Sequence, residues 1–543
     1  MDPGAWAAYQ LGGAGDFRAM RETLARLEAR GSAEARAWCL TLRALSWHAG
    51  LDFGALPRIG EVSRLAQGPG EVRFAACLSC ALAARASLLA FDPRALESWL
   101  DVHARSLGGA AIPAEATLWH EALGAWLRLM TGDLAGLGDA ARALAASAAD
   151  EKLAPLVVHS TALRAMAALA AGDMEAATSL ARRASRMART EALPQEEYLA
   201  NVVLARLRRL QARPAMAARI LGALLRVAPS SWHPWIAWEL LLSAGPGAAG
   251  PTMGSRSPSE AAVAGLGDLL AAAQAGERER FARAASTCRA RLGSWSFLGA
   301  ELEAVLVAID PDADVIGANP AVAAWCRGES AAVPAGLDGL GRHELLAEAG
   351  DPSVGFVVAR PGRPARRVLA LGALLAGERE ARTAIEQARR RPGRNETAIA
   401  ALALAGQAGL PKADLFRAVY GFAYSAPLHQ GVLDVLLHRA RAQLAAPGDL
   451  SRDEDRLRLQ VRRFLLVADP RCARATDDQV LRVLAQKGAG TAKDAAQALQ
   501  IPLRTAQAAI QSLVSDGVCI LERHGRRVEY RVEDSTFCEP TKY

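Results

Sequence analysis

The chain has 543 residues, 51% of them hydrophobic and 22% charged, with a net charge of +7. That is globular composition on far more chain than one core needs, so two to four domains are expected. Eight Cys in this length suggest no disulfide framework, and aromatic content of 5% beside abundant Ala favours helices packed closely through small side chains.

The opening MDPGAWAAYQLGGAGD has no basic n-region and no long apolar run, so no secretory leader is expected and a reducing cytoplasm is the expected compartment. The segments GDFRAM, LDFGAL, FDPRAL, GDLAGL and GDMEAA then place Asp16, Asp52, Asp92, Asp133 and Asp173 at steps of 36 to 41 residues. Each Asp follows a helical run such as AWCLTLRALSWHAG and precedes an amphipathic one such as EAATSLARRASRMA. The pattern predicts helical hairpins: Gly ends the first helix in the left-handed conformation, and Asp caps the second by accepting from its free N–H groups. One hairpin cannot bury its apolar face alone, so stacking into a curved solenoid with a concave surface is expected. ARPAMAARILGALLRVAP from Ala212 reads as a sixth unit, GPGAAGPTMGSRSPS from Gly245 as a linker, and AAVAGLGDLLAAAQAGERERFARAASTCRARL as a further pair.

Within these repeats, LAPLVVHSTALRAMAALAAG from Leu153 carries His159 and Arg164 and reads as a buried helix pair rather than a membrane span. Cys77 and Cys80 lie in a helical pattern with no second ligand pair, which points to core packing rather than zinc. Trp38, Trp47, Trp119 and Trp126 sit at helical spacing and also read as core. The whole pattern, over about residues 1 to 295, resembles the tetratricopeptide class in the longer form found in bacterial regulators, although the single-repeat consensus is poorly kept. The resemblance implies a platform for a protein, a peptide or a small molecule, or a brace for neighbouring domains.

Residues 296–350, which include DPDADVIGANP, receive no assignment. From Val354 to Gly372, VGFVVARPGRPARRVLALG places β-branched runs on either side of a Pro/Gly turn and predicts two strands. Three helical segments follow: ETAIAALALAGQ, KADLFRAVYG and LHQGVLDVLLHRARAQL. RLRLQVRRFLLV then alternates, which predicts a hairpin arm. Arg379 to Ala475 holds 17 Arg and Lys against 10 Asp and Glu, so this stretch carries the whole net charge. A basic island in a neutral chain fits a polyanion partner or, alternatively, a solvated Arg-rich face.

Leu415, Val419, Tyr420, Gly421 and Phe422 fill the end of the second helix of the OmpR/PhoB-type winged-helix family. Asp434, Val435, Arg439, Arg441 and Leu444 match its recognition helix. The segment resembles that family over about 120 residues, with Ala442 and Gln443 where the family is basic and no phospho-acceptor domain before it. The resemblance implies DNA contacts from His429, Gln430, His438, Arg439 and Arg441, held down by Leu433, Leu436, Leu437 and Leu444. Arg456, Arg458, Arg462 and Arg463 on the arm are the candidate phosphate or minor-groove contacts.

From Thr476, TDDQVLRVLAQKG, TAKDAAQAL, IPL, RTAQAAIQSLVSDG and the alternating runs VCILER and RVEYRV read as three helices and a hairpin. This resembles the helix-turn-helix of bacterial repressors. It implies DNA contacts from Arg504, Thr505, Gln507 and Gln511, with Lys493 on phosphate and His524, Arg526 and Arg527 at the wing. Ala508 stands where the family often has Arg. Eight basic residues balance eight acidic ones from Thr476 to Asp534, so this module alone should bind weakly, and protein docking or homodimerisation remains the alternative.

No GxxxxGK[ST] occurs, GPGAAG lies in a linker, and HEALG and HELLA each lack a second His. No enzyme, cofactor or metal site is expected. The expected fold is mainly α: repeats over 1–240, a linker over 241–258, a hairpin over 259–295, and a connecting segment over 296–350. An OmpR-type winged helix over 351–470 and a winged helix-turn-helix over 471–534 follow, with a tail over 535–543. The expected function is a cytoplasmic DNA-binding transcription regulator, with double-stranded DNA and a protein or peptide on the repeats as partners, and no membrane. The alternative is an interaction scaffold or complex subunit, for example in a defence system, whose winged helices bind proteins.

Overall fold

A computed structural model describes residues 2–13, 15–108, 113–211, 213–247, 257–292, 296–309, 324, 355–368, 393–444, 447–453, 455–469, 476–525 and 527–532. Sixteen α-helices come first among the described residues: α1 (Pro3–Gly13), α2 (Phe17–Arg30), α3 (Ala33–His48), α4 (Ile59–Leu65), α5 (Gly70–Leu89), α6 (Pro93–Leu107), α7 (Ala114–Thr131) and α8 (Leu137–Asp150). They continue with α9 (Ala154–Ala170), α10 (Met174–Thr190), α11 (Pro194–Leu210), α12 (Pro214–Val227), α13 (His233–Ala244), α14 (Pro258–Ala275), α15 (Arg278–Leu292) and α16 (Ser296–Ile309).

Consecutive helices pack as hairpins. Three of the five Asp positions act as the sequence predicts. Asp16 accepts from the Ala19 N–H, Asp92 from Ala95 and Asp173 from Ala176, each at the start of the second helix of a pair. The other two do not cap. Asp133 pairs with Arg128 Nε at 2.8 Å, and α8 starts after Gly136 instead. Asp52 pairs with Arg21 across an exposed surface, and the next helix, α4, begins only at Ile59. The run from Leu153 forms one helix, α9, rather than a pair. Among the described residues, α5 is the one helix long and apolar enough to cross a membrane, and nearly all of it is buried inside the protein. Cys77 and Cys80 point into its packing and are fully buried, as are Trp38 and Trp126, with Trp119 close to it.

The axis of the array is filled. Helices α5, α11 and α13 bury nearly every side chain, because hairpins three or four apart in sequence touch across the middle. Arg85 Nη1 of α5 donates to Glu196 Oε1 of α11 over 2.9 Å. Gln195 Nε2 donates to the His48 carbonyl over 3.0 Å, and Trp126 meets Trp235 edge to face at 6.0 Å. Where the repeats predict an open concave surface, these side chains make a core instead. α16 belongs to the same body: Glu301 joins Arg206, Arg209 and Glu239 in a buried network, and Glu303 pairs with Arg289. The first helix of the segment left without assignment in the sequence therefore closes the array.

Among the described residues, the rest of the chain builds two small units on one plan. In the first, α17 (Arg394–Ala405), β3 (Leu410–Pro411), α18 (Lys412–Tyr420) and α19 (Ala426–Gln443) precede the hairpin β4 (Gly448–Asp453) and β5 (Arg456–Val461), with sheet order β3-β5-β4. In the second, α20 (Thr476–Lys487), β7 (Ala489–Gly490), α21 (Ala492–Leu499) and α22 (Leu503–Ser515) precede β8 (Cys519–His524) and β9 (Arg527–Val532), in order β7-β9-β8. The first unit has an extra antiparallel sheet of β1 (Gly355–Ala359), β2 (Arg366–Val368) and β6 (Leu465–Asp469), ordered β2-β1-β6. The two predicted strands around the Pro/Gly turn are β1 and β2. The arm differs from expectation. RLRLQV is β5 and pairs with β4, formed by GDLSRD, while the FLLV run enters β6 and pairs with β1. Arg367 and Asp469, both fully buried, form an ion pair between the two edge strands of this sheet.

The second unit is docked on the array. Met216 of α12 sits in its core beside Val480, Leu481 and Leu484, while Ile220, Leu221 and Leu224 of the same helix belong to the core of the array. Arg219 Nη1 donates to the Ala485 carbonyl over 2.8 Å. That carbonyl is one of the last in α20, which lack partners within the helix and sit at its negative end.

Candidate nucleic-acid interface

In α19 the helical period separates two faces. Leu433, Leu436, Leu437, Ala440 and Leu444 are buried in the unit's core, as the sequence pattern predicts. His438, Arg439 and Arg441 are exposed near its C-terminal end. Arg441 Nε also reaches the Leu450 carbonyl at 3.4 Å, which ties the helix to the hairpin.

His429 and Gln430 are placed differently from these. His429 stacks on Phe416 with ring centroids 4.7 Å apart, and its Nδ1 accepts from the Ser425 N–H. Gln430 accepts from the Tyr424 hydroxyl over 2.6 Å and donates to Asp434 Oδ1 over 2.8 Å. Both hold the entry of α19 against an aromatic cluster of Phe416, Tyr420, Phe422 and Tyr424.

The arm arginines lie along β5 and its exit, and three of the four have a local partner. Arg456 donates to the Ala408 and Gly409 carbonyls, Arg458 lies 3.3 Å from Asp453, and Arg462 lies 3.3 Å from Asp449. Arg463 is exposed beside them. Ion pairs this exposed are worth about 0–1 kcal/mol, so a phosphate can displace the carboxylates at little cost. Lys412, bonded to Asp455, holds that carboxyl below its ordinary range.

α22 presents a cleaner polar face. Ala506, Ala509, Ile510 and Leu513 are buried, while Arg504, Thr505, Gln507 and Gln511 are exposed. Arg504, Gln507, Ala508 and Gln511 follow an i, i+3, i+4, i+7 line, so they share one side of the helix. Lys493 is exposed at the start of α21, whose N-terminus is fixed by the reciprocal bonds of Thr491 and Asp494. Arg527 opens β9 opposite His524, and Arg526 lies outside the described residues.

The sequence reading missed an apolar stripe on the outside of α19. Leu428, Val432 and Val435 are 75%, 44% and 51% exposed, and Phe422 beside them is 52% exposed. The signal was present in the spacing, because 428, 432 and 435 fall on the face opposite Leu433 and Leu437. Among the described residues, no group of three or more His, Cys, Asp or Glu could hold a metal ion. Neither a protein family nor a curated protein nor a solved structure matches the chain.

Proposed function

We propose that this chain is a DNA-binding transcription regulator in which tetratricopeptide-like repeats carry two winged helices. The observation that carries the reading is the repeated plan of helix, strand, two helices and hairpin, with the third helix of each unit exposing polar side chains. In the second unit that helix offers Arg504, Thr505, Gln507 and Gln511 on its free side, the residue types that bond base edges and phosphates. In the first unit Arg439, Arg441, Arg456, Arg458 and Arg462 supply positive charge for the backbone. The C-terminal winged helix reads sequence, and the middle one adds electrostatic affinity. α12, shared between two cores, transmits a partner's effect on the repeats to the C-terminal winged helix as a rigid link.

A second reading, an interaction scaffold or complex subunit, is favoured by one specific observation: an apolar stripe of Leu428, Val432 and Val435 runs along the exposed side of α19, where a helix reading a groove would be polar. The two readings part in a salt series. The full chain is titrated onto a labelled genomic duplex by fluorescence anisotropy, beside Arg504→Ala/Gln507→Ala/Gln511→Ala and Arg439→Ala/Arg441→Ala/Arg458→Ala variants. The regulator reading expects affinity to fall steeply with salt. The second variant should flatten the log–log slope by about 0.9 for each phosphate that it no longer neutralises. Absence of binding at low salt sinks the regulator reading.

A further inference from the structure

The stripe on α19 lies on the surface of a helix whose opposite face is already saturated. Leu433, Leu436, Leu437, Ala440 and Leu444 fill the unit's own core, so Leu428, Val432 and Val435 are surplus to folding. They stand at i, i+4 and i+7, one continuous ridge, and Arg439 at i+11 extends it. Phe422 widens it at the N-terminal end, held there by edge contacts to Phe416 and His429. Isolated exposed apolar residues are ordinary; four in one patch mark an interaction surface. Nor does the patch suit a groove of DNA, since isobutyl and isopropyl groups offer base edges no donor or acceptor.

Charge selects the occupant. Arg439 continues the ridge at its C-terminal end with His438 exposed next to it, and the positive end of the helix dipole lies at the other end. Arg394 stacks over Tyr420 in the cluster below. The one acid on α19, Asp434, is already bonded to Gln430 and lies 3.9 Å from Arg452. A second copy of the chain fits badly: parallel pairing sets Arg439 against Arg439, and antiparallel pairing sets it against a positive helix end. We infer that this face docks an amphipathic helix of another protein, one whose apolar stripe is flanked by Asp and Glu. The partner lays residues spaced at i, i+3 or i+4, and i+7 along the ridge and sets its carboxylates against His438 and Arg439.

The test uses the full chain and two labelled synthetic helical peptides that share one Leu pattern, one flanked by Glu and the other by Lys. The Glu peptide should bind in the micromolar range and at least tenfold more tightly than the Lys peptide. Val432→Asp with Val435→Asp should weaken it at least tenfold, and Arg439→Glu should erase or invert the charge preference. Because these positions are exposed, circular dichroism should be unchanged. Equal binding of the two peptides, or binding of neither, overturns the inference. So does a double variant that weakens duplex DNA and spares the peptide, or a wild-type dimer in sedimentation velocity that this variant dissociates.

Discussion

Replacing Glu239 by Gln tests what holds the array closed. Glu239 is fully buried on α13, where Oε1 accepts from Arg206 over 2.7 Å and Oε2 accepts from Arg209 Nη2 over 2.7 Å and Nε over 3.0 Å. Glu301 of α16 completes the set, accepting from both arginines and from the Trp238 indole N–H. Two cations and two carboxylates cancel. Burial alone would push the Glu301 carboxyl up, but Arg206 and Arg209 override it and hold it at about 2. Gln keeps the size of Glu239 and removes its charge, so two buried guanidiniums face one carboxylate. Leaving a buried charge unpaired costs about 3–5 kcal/mol. In a chain of several units that loss is local, so the assay is hydrogen exchange by mass spectrometry on peptides from α11, α13 and α16, with helical signal in urea beside it. Protection in those helices should fall by about two to four orders of magnitude. Adding Arg209→Met to Glu239→Gln should restore part of it, because the excess cation is gone. A loss below about 1 kcal/mol with unchanged exchange would refute the claim that this network, rather than the surrounding Trp and Leu packing, closes the array.

Burial holds the imidazoles of His48 and His103 at about 3 and that of His159 well below its ordinary value. Their neutral forms stabilise the fold above pH 6.5, and that stability is lost as pH falls toward 3. Each contributes about 1.4 kcal/mol per pH unit in that window, so acid titration monitored by circular dichroism should show steep loss of helix, softened by His103→Gln. Burial raises the Glu115 carboxyl to about 7, so its contribution is full below pH 4.5 and declines as pH rises to 7; Glu115→Gln should stabilise the protein at pH 8 more than at pH 5 in thermal melts. Met216→Asp should release the C-terminal unit from α12, read as a larger radius of gyration by X-ray scattering, with Arg219→Ala giving a smaller change. Burial raises the Cys77 and Cys288 thiols to about 12, so both should resist a thiol reagent in native protein and react promptly in urea.

Local features were legible in the sequence and long-range ones were not. Asp16, Asp92 and Asp173 could be read as caps because capping involves residues three apart. Asp133 could not be separated from them, since its bond to Arg128 depends on how the intervening turn bends. The inner face of α19 was visible in the spacing of Leu433, Leu437 and Leu444. The arm was misread because alternation in RLRLQVRRFLLV says that strands exist but not which strand each one joins. Val432 and Val435 look like core in any hydrophobic pattern, and only the finished unit shows that the core is full without them. The buried charges had a faint signal: Glu239 interrupts an otherwise apolar helix, WIAWELLL, which asks for a buried cation without naming it.

Repeat proteins usually grow and shrink by whole repeats, because each touches only its neighbours. This array has given up that freedom. Arg85 meets a partner 111 residues away and Gln195 one 147 residues away, so deleting or duplicating a hairpin would shift every cross-axis pair out of register at once. Its repeat number is locked by its interior. The same long links slow folding, because distant segments must meet before they can form.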